Sequence, residues 1–311
     1  MCAIFGVLDY KGKLESSQRL RMVKALGNAA EVRGTDATGM AFFQSGRLCI
    51  QKAPKPAHRM KWRIPAEVRY IMGHTRMTTQ GSAEQNQNNH PFPGKVKNQT
   101  FALAHNGVLH NDWYLRQMYQ LPKTSIETDS YVAVQLIERQ KELSFDNLRK
   151  MAEVLEGPFT FTILDQDNNL YFIKGSNPLT IYHYPKLGLY IYASTQEILA
   201  DALKTLGMQK MVHETVLPWP GDILRIDSRG QMEKSTFAVD DPFSAFVSRT
   251  QRISPEFRHS RRVRRKAQQE YIQAMKSLAV FYGYEADYVE ALLADGYTVA
   301  ELEDLIYCGR F

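Results

Sequence analysis

Strand-length apolar runs, interleaved with helix-length amphipathic stretches from residue 3 to about residue 240, most narrow what this chain can become. Residues Ala3 to Leu8, Gly39 to Gln44, Leu48 to Lys52, Phe159 to Leu164, Leu170 to Lys174, Leu189 to Ala193 and Asp222 to Ile226 are apolar or alternating over the length of a strand. Ser17 to Val32, Asp129 to Gln140, Phe145 to Leu155 and Gln196 to Leu206 have the spacing of helices that bury one face, with Ser17 the expected N-cap of the first. Gly175-Ser176-Asn177-Pro178-Leu179 and Pro220-Gly221-Asp222 mark turns. A composition 44% hydrophobic gives these elements a core to bury. Periodicity alone establishes a mixed α and β protein, with nothing repeating at a fixed period.

The first run is preceded directly by Cys2. A residue this small in second position permits removal of Met1, which leaves a thiol and a free α-amine on one residue. That amine titrates near pKa ~8, so it can accept the thiol proton at neutral pH. Two later apolar runs lead into polar motifs. Val68 to Met72 precedes Gly73-His74-Thr75-Arg76-Met77-Thr78-Thr79-Gln80-Gly81, and Phe101 to Ala104 precedes His105-Asn106-Gly107. Asn88-Asn89-His90-Pro91-Phe92 lies between them, and Glu127-Thr128-Asp129-Ser130 follows. Asn-Gly taken alone reads as a hairpin turn. Thr128-Asp129 taken alone reads as a helix cap, and Arg76 as half of a surface ion pair. His74, His90 and His105 have no carboxylate or Cys at ligand spacing, so satisfied structural histidines are expected and neither a metal nor a cofactor.

An N-terminal Cys, the Arg33-Gly34-Thr35-Asp36-Ala37-Thr38-Gly39 stretch, G-H-T-R, H-N-G and a later T-D occur in one order. Together they resemble the class II glutamine amidotransferases, N-terminal-nucleophile hydrolases found as the glutaminase domains of glucosamine-6-phosphate synthase, amidophosphoribosyltransferase and asparagine synthetase. The resemblance runs from Cys2 to about residue 240. It implies an α+β fold, a four-layer αββα sandwich of two mainly antiparallel sheets. Cys2 would be the nucleophile, and the Asn106 amide and Gly107 N–H the oxyanion hole. Arg76 would grip the α-carboxylate of glutamine, because a guanidinium fork matches a carboxylate. Asp129 would take the α-ammonium, Met77 would also contact the substrate, and Thr79-Gln80-Gly81 matches the loop that closes over bound glutamine. Arg33, Gly34, His74 and His105 would support these groups from behind. Met77 and Gln80 depart from the residues common in the family, which touches loop detail and not the reaction.

Three scattered cysteines, Cys2, Cys49 and Cys308, offer no disulfide framework, and a cytoplasmic protein is expected. No signal peptide and no membrane-spanning run is readable. Composition changes after residue 240. From Arg249 to Lys266, eight Lys/Arg face one acidic residue, a local net of +7 in a chain whose net is +6. Residues 241–266 read as a basic linker, a solvated segment by default and a contact for nucleic acid or a nucleotide-linked acceptor as the sharper reading. Residues 267–311 read as a small helical tail over Gln268 to Phe281, Glu285 to Ala294 and Thr298 to Tyr307, broken at Asp295-Gly296. No sugar-isomerase half, phosphoribosyl-pyrophosphate loop or S-G-G-x-D-S nucleotide loop is readable.

The expected function is hydrolysis of L-glutamine to glutamate and ammonia through a Cys2 thioester, with ammonia passed to a synthase on another chain. Two other readings stand beside it: an N-terminal-Cys amidase acting on a different amide, and a glutamine-binding scaffold without turnover.

Overall fold

A computed structural model describes residues 2–97 and 99–239, together with 272, 273, 276, 279, 280, 284–295, 297 and 302. The strands are β1 (Ala3–Asp9), β2 (Ala37–Gln44), β3 (Arg47–Ala53), β4 (Tyr70–Arg76), β5 (Phe92–Val96), β6 (Gln99–Gly107), β7 (Phe159–Asp165), β8 (Leu170–Lys174), β9 (Thr180–Tyr184), β10 (Leu189–Ala193), β11 (Glu214–Val216), β12 (Asp222–Ile226) and β13 (Met232–Thr236). The helices are α1 (Ser16–Ala30), α2 (Asp112–Met118), α3 (Tyr131–Gln140), α4 (Phe145–Ala152), α5 (Gln196–Leu206) and α6 (Ala286–Ala294).

Strand β1 shows how the layers arise. All seven of its residues are buried, so it reads as a continuous apolar run and not as an alternating one. Successive side chains still point to opposite faces. Ala3, Phe5 and Val7 join Met22, Val23 and Leu26 of α1 and Ile198, Leu199 and Ala202 of α5 in one core. Ile4 and Leu8 join Ala102, Ala104, Leu164 and Phe172 of the facing sheet in a second core. Gly6 lies where an added Cβ would meet Tyr192 Cζ at 2.6 Å, so its bare backbone makes room for that ring between the sheets. Full burial of one such side chain stabilises the fold by about 1.5–3 kcal/mol.

The first sheet runs β11-β9-β10-β1-β4-β2-β3, and the second runs β13-β12-β8-β7-β6-β5. Every pairing is antiparallel; in the central one Phe5 lies opposite Gly73 and Ile4 opposite His74. Helices α1 and α5 cover the outer face of the first sheet, and α3 and α4 pack on the second through β5 and β12. The result is the expected four-layer αββα sandwich of the α+β class.

Several local expectations change. Ser17 does not cap α1: Glu15 does, in a capping box that returns the Gln18 side chain to the Glu15 N–H. Helix α3 starts at Tyr131, so Thr128 and Asp129 lie outside it; its N-cap is Ser130, which makes no side-chain capping bond. Ser144 and Thr195 cap α4 and α5. Asn106-Gly107 is not a hairpin turn. Both residues continue β6, opposite Thr160 and Phe159.

The chain divides into a compact unit of Met1–Phe237 and a second of Ala238–Phe311. In the second, the helix expected over Glu285–Ala294 is present as α6. The basic linker 241–266 lies outside the described residues, as do most of the two other tail helices. No helix among the described residues is long and apolar enough to cross a membrane.

Candidate active site

Cys2 stands at the head of β1, the middle strand of its sheet, and the pairing of β1 with β4 carries Arg76 to the same edge. Cys2 Sγ contacts the Met77 carbonyl at 3.5 Å. Burial pushes its thiol pKa up, against the opposing pull of the Met77 contact, the terminal amine and Arg76. Behind it, Arg33 Nε donates to the Cys2 carbonyl at 2.9 Å. Gly34 passes so close to β4 that an added Cβ would lie 2.5 Å from the Met77 nitrogen. Asp36 of the same stretch accepts the Thr78 N–H at 2.7 Å and its own N–H bonds the Arg76 carbonyl, which fixes the chain as it leaves β4.

The Arg76 guanidinium is buried and holds the following loop. Nη1 donates to Asn89 Oδ1 at 2.7 Å, and Nη2 to the carbonyls of Gln80 (2.6 Å) and Gly81 (2.9 Å). These bonds leave part of the guanidinium's donor set for a ligand. Lys52 fastens the same loop from β3, donating to the carbonyls of Asn89 (2.5 Å) and Pro91 (3.2 Å). Burial first, and then the nearby Arg76 charge, lower the Lys52 pKa to about 8.

Asp129 comes from the turn before α3. Its Oδ2 accepts the Leu109 N–H at 2.6 Å and its Oδ1 accepts the Ser130 hydroxyl at 3.3 Å. Burial raises its pKa, and those hydrogen bonds work the other way. Ser130 Oγ also meets His105 Nδ1 at 2.8 Å. At the end of β6 the Asn106 side-chain amide is fully buried, and neither its nitrogen nor its oxygen has a partner. Its backbone carbonyl is held by Asn177 Nδ2 at 2.9 Å. Gly107 sits at φ 148°, a conformation open to glycine, with its carrier strand paired to β7.

These groups converge on one small cleft. Of the residues singled out in the sequence, Cys2, Arg76, Met77, Thr79, His105, Gly107 and Asp129 border it. Asn106 lies beside it, and Arg33, Gly34 and His74 stand behind it. Gln80, which the resemblance places in the loop over bound glutamine, also borders the cleft, as do His90, Thr128 and Ser130, to which sequence reasoning gave no site role. Thr128 and Ser130 flank Asp129, and that adjacency was the available signal. His90 had none, because it arrives from a separate loop.

The histidines correct an expectation. They are satisfied only in part, His74 through Nε2 and His105 through Nδ1. The His74 and His90 rings lie tilted against each other with centroids 4.2 Å apart, and His90 lies 6.5 Å from His105, which stacks on Phe161 at 4.4 Å. His74 Nε2 bonds the His105 carbonyl at 2.9 Å. His74 Nδ1, both His90 nitrogens and His105 Nε2 are buried without a partner. Burial holds all three rings neutral: it pushes His74 and His105 down to about 3 and His90 well below its usual value. Among the described residues no group of three or more His, Cys, Asp or Glu is arranged to hold a metal ion.

Comparison with known proteins agrees with this fold. Residues 74–201 match the family described as glutamine amidotransferase domain. The glutamine–fructose-6-phosphate aminotransferase (isomerizing) of Bacillus subtilis is 30% identical over 187 residues, 57% of this chain and 30% of the relative. Its counterpart in Aquifex aeolicus is 28% identical over 186 residues, again 57% of this chain and 30% of the relative. The match thus spans less than a third of these relatives' length. Two solved structures share the fold: glutamine phosphoribosylpyrophosphate amidotransferase from B. subtilis (TM-score 0.60) and the allosteric regulatory enzyme of purine biosynthesis (TM-score 0.61). Each is 21% identical, over 77% of this chain and 50% of the other. The family match, these relatives and the shared fold together support a class II glutamine amidotransferase domain of the N-terminal-nucleophile hydrolase type.

Proposed function

We propose that this domain hydrolyses L-glutamine to glutamate and ammonia through a thioester on Cys2. The observation that carries the reading is the meeting of a thiol, a guanidinium, a carboxylate and a strand-end glycine N–H in one cleft, from four separate elements. Arg76 and Asp129 select the zwitterionic end of an amino acid and leave the side-chain amide for Cys2. The buried thiol stays protonated without a base, and the Cys2 α-amine supplies one once Met1 is removed. Sulfur attacks the carboxamide carbon, and the oxyanion is held by the unpartnered Asn106 amide and the Gly107 N–H. A donor of this kind is worth about 2.7–4 kcal/mol in the transition state. The C–N bond breaks, with the amine returning its proton to the departing ammonia, and water then cleaves the thioester.

The acceptor of the ammonia is a synthase on another chain. The basic stretch 249–266 supplies the charge to contact a nucleotide-linked acceptor or a nucleic acid. The test is release of ammonia and glutamate by protein whose Met1 removal has been verified by mass spectrometry, beside Cys2→Ala. Turnover by the former and none by the latter is expected. Equal turnover by both refutes the thioester.

A further inference from the structure

Three cleft-lining residues carry buried polar atoms that no protein group satisfies: His90 through both ring nitrogens, His105 through Nε2 and Thr128 through Oγ1. Their exposures are 4%, 1% and 2%. Buried polar atoms are almost always paired, with protein or with ordered water. The whole cleft, which Cys2, Arg76 and Asp129 also border, has about 10 Å³ of free space, near the least that holds one water. We propose that this floor of the cleft binds a single water, and that this water is the co-reactant that hydrolyses the Cys2 thioester. The inference rests on the thioester reading above.

The donor and acceptor balance selects water. Ser130 turns its O–H to Asp129 Oδ1, so His105 Nδ1 carries the proton that meets Ser130 Oγ, and His105 Nε2 presents a lone pair. A neutral His90 adds one N–H and one lone pair, and the Thr128 hydroxyl can do either. Water, with two hydrogens to give and two lone pairs to fill, suits such a mixed set. An anion does not, because it would face the His105 lone pair. Burial keeps the imidazoles neutral, so the set does not become cationic near pH 7.

Placement favours the reaction. An added Cβ on Gly107 would lie 2.6 Å from His105 Nε2, so the acceptor nitrogen lies against the residue whose N–H is offered to the oxyanion. A water held there stands beside the thioester carbonyl. Its oxygen forms the new C–O bond while the C–S bond breaks and sulfur leaves with the electron pair. One water proton passes through the α-amine to the thiolate, and the other leaves as the carboxylic acid ionises.

The test is a rapid-quench time course with glutamine, following the acyl-enzyme by intact mass, for wild type, Thr128→Val, Thr128→Ser and His90→Phe. Thr128→Val keeps the side-chain shape and leaves the Thr128 carbonyl bond to Arg116 in place. In Thr128→Val and His90→Phe the acyl-enzyme should accumulate, with deacylation slowed about tenfold and the ammonia burst nearly unchanged. Thr128→Ser should behave as wild type, and hydroxylamine should restore turnover to Thr128→Val. A raised KM without accumulation would mean that these groups bind glutamine itself, and would overturn the proposal, as would unchanged kinetics in Thr128→Val. A wild type that turns glutamine over with no acyl-enzyme would instead refute the thioester reading beneath it.

Discussion

Replacing Asp129 by Asn removes one charge and almost no volume, and it tests substrate recognition most directly. The Asn oxygen can keep the Leu109 N–H bond now made at 2.6 Å, and the Ser130 hydroxyl can turn to accept from the new amide. What is lost is the charged partner for the substrate α-ammonium. A hydrogen bond to a charged group is worth about 1.5–3 kcal/mol, so KM for glutamine should rise about 10- to 150-fold. The fold should not suffer. Burial raises the Asp129 pKa, so between the unfolded and folded values the native state binds more protons and stability falls as pH rises. At neutral pH the carboxylate is therefore a net cost that Asn relieves, and a thermal melt at pH 7 should show no loss. The informative assay compares glutamine with glutaramate, which lacks the α-amino group. Wild type should prefer glutamine by the same factor that the variant loses, and Asp129→Asn should treat the two alike. A variant that keeps the full wild-type preference refutes the assignment of the ammonium to Asp129.

Lys52→Met keeps the side-chain stem but removes the ammonium that joins the Asn89 and Pro91 carbonyls. A loss of about 1–3 kcal/mol in urea unfolding, with a raised KM because Asn89 orients Arg76, is expected. His74 and His105, held near 3, should show no imidazole titration by NMR between pH 5 and 8. In the window between that value and the ordinary ~6.5 the unfolded chain binds more protons, so their contribution is complete above ~6.5 and lost as pH falls toward 3. Equilibrium unfolding against pH should show that slope, and His74→Phe should reduce it. Thr195→Ala removes the cap of α5 and should cost about 1 kcal/mol with kcat unchanged; a much larger loss would mean that the hydroxyl does more than cap.

Strands whose burial needs only a local pattern were legible. β8, β10 and β12 match their sequence expectations residue for residue, and α5 does too, because each is a clean apolar or amphipathic run between turn residues. The supporting positions Arg33, Gly34 and His74 were named from the order of short motifs and not from local pattern, since their contacts reach residues distant in sequence: Arg33 to Cys2, Gly34 to Arg76 and Met77, and His74 to His105. Strand β5 was not readable, since Pro93 and Gly94 weaken any strand signal and only pairing with β6 makes the segment extended. Nor were β9, β11 and β13 named, although β9 is largely buried, and the other two are short or largely exposed. Asn106-Gly107 has turn chemistry locally and strand geometry in the fold, because seven β6–β7 pairings outweigh the preference of a dipeptide.

The sequence by itself determined the alternation of elements, the position of the thiol next to the chain start and the motifs that resemble a glutaminase. Tertiary structure alone decided that His74, His90 and His105 share one buried cluster, that Lys52 reaches the loop holding Arg76, and that Ser130 links Asp129 to His105. The physical reason is that periodicity encodes which face of an element is buried. Which residues meet across that face depends on strand register and on how the two sheets stack, and no local stretch carries that information.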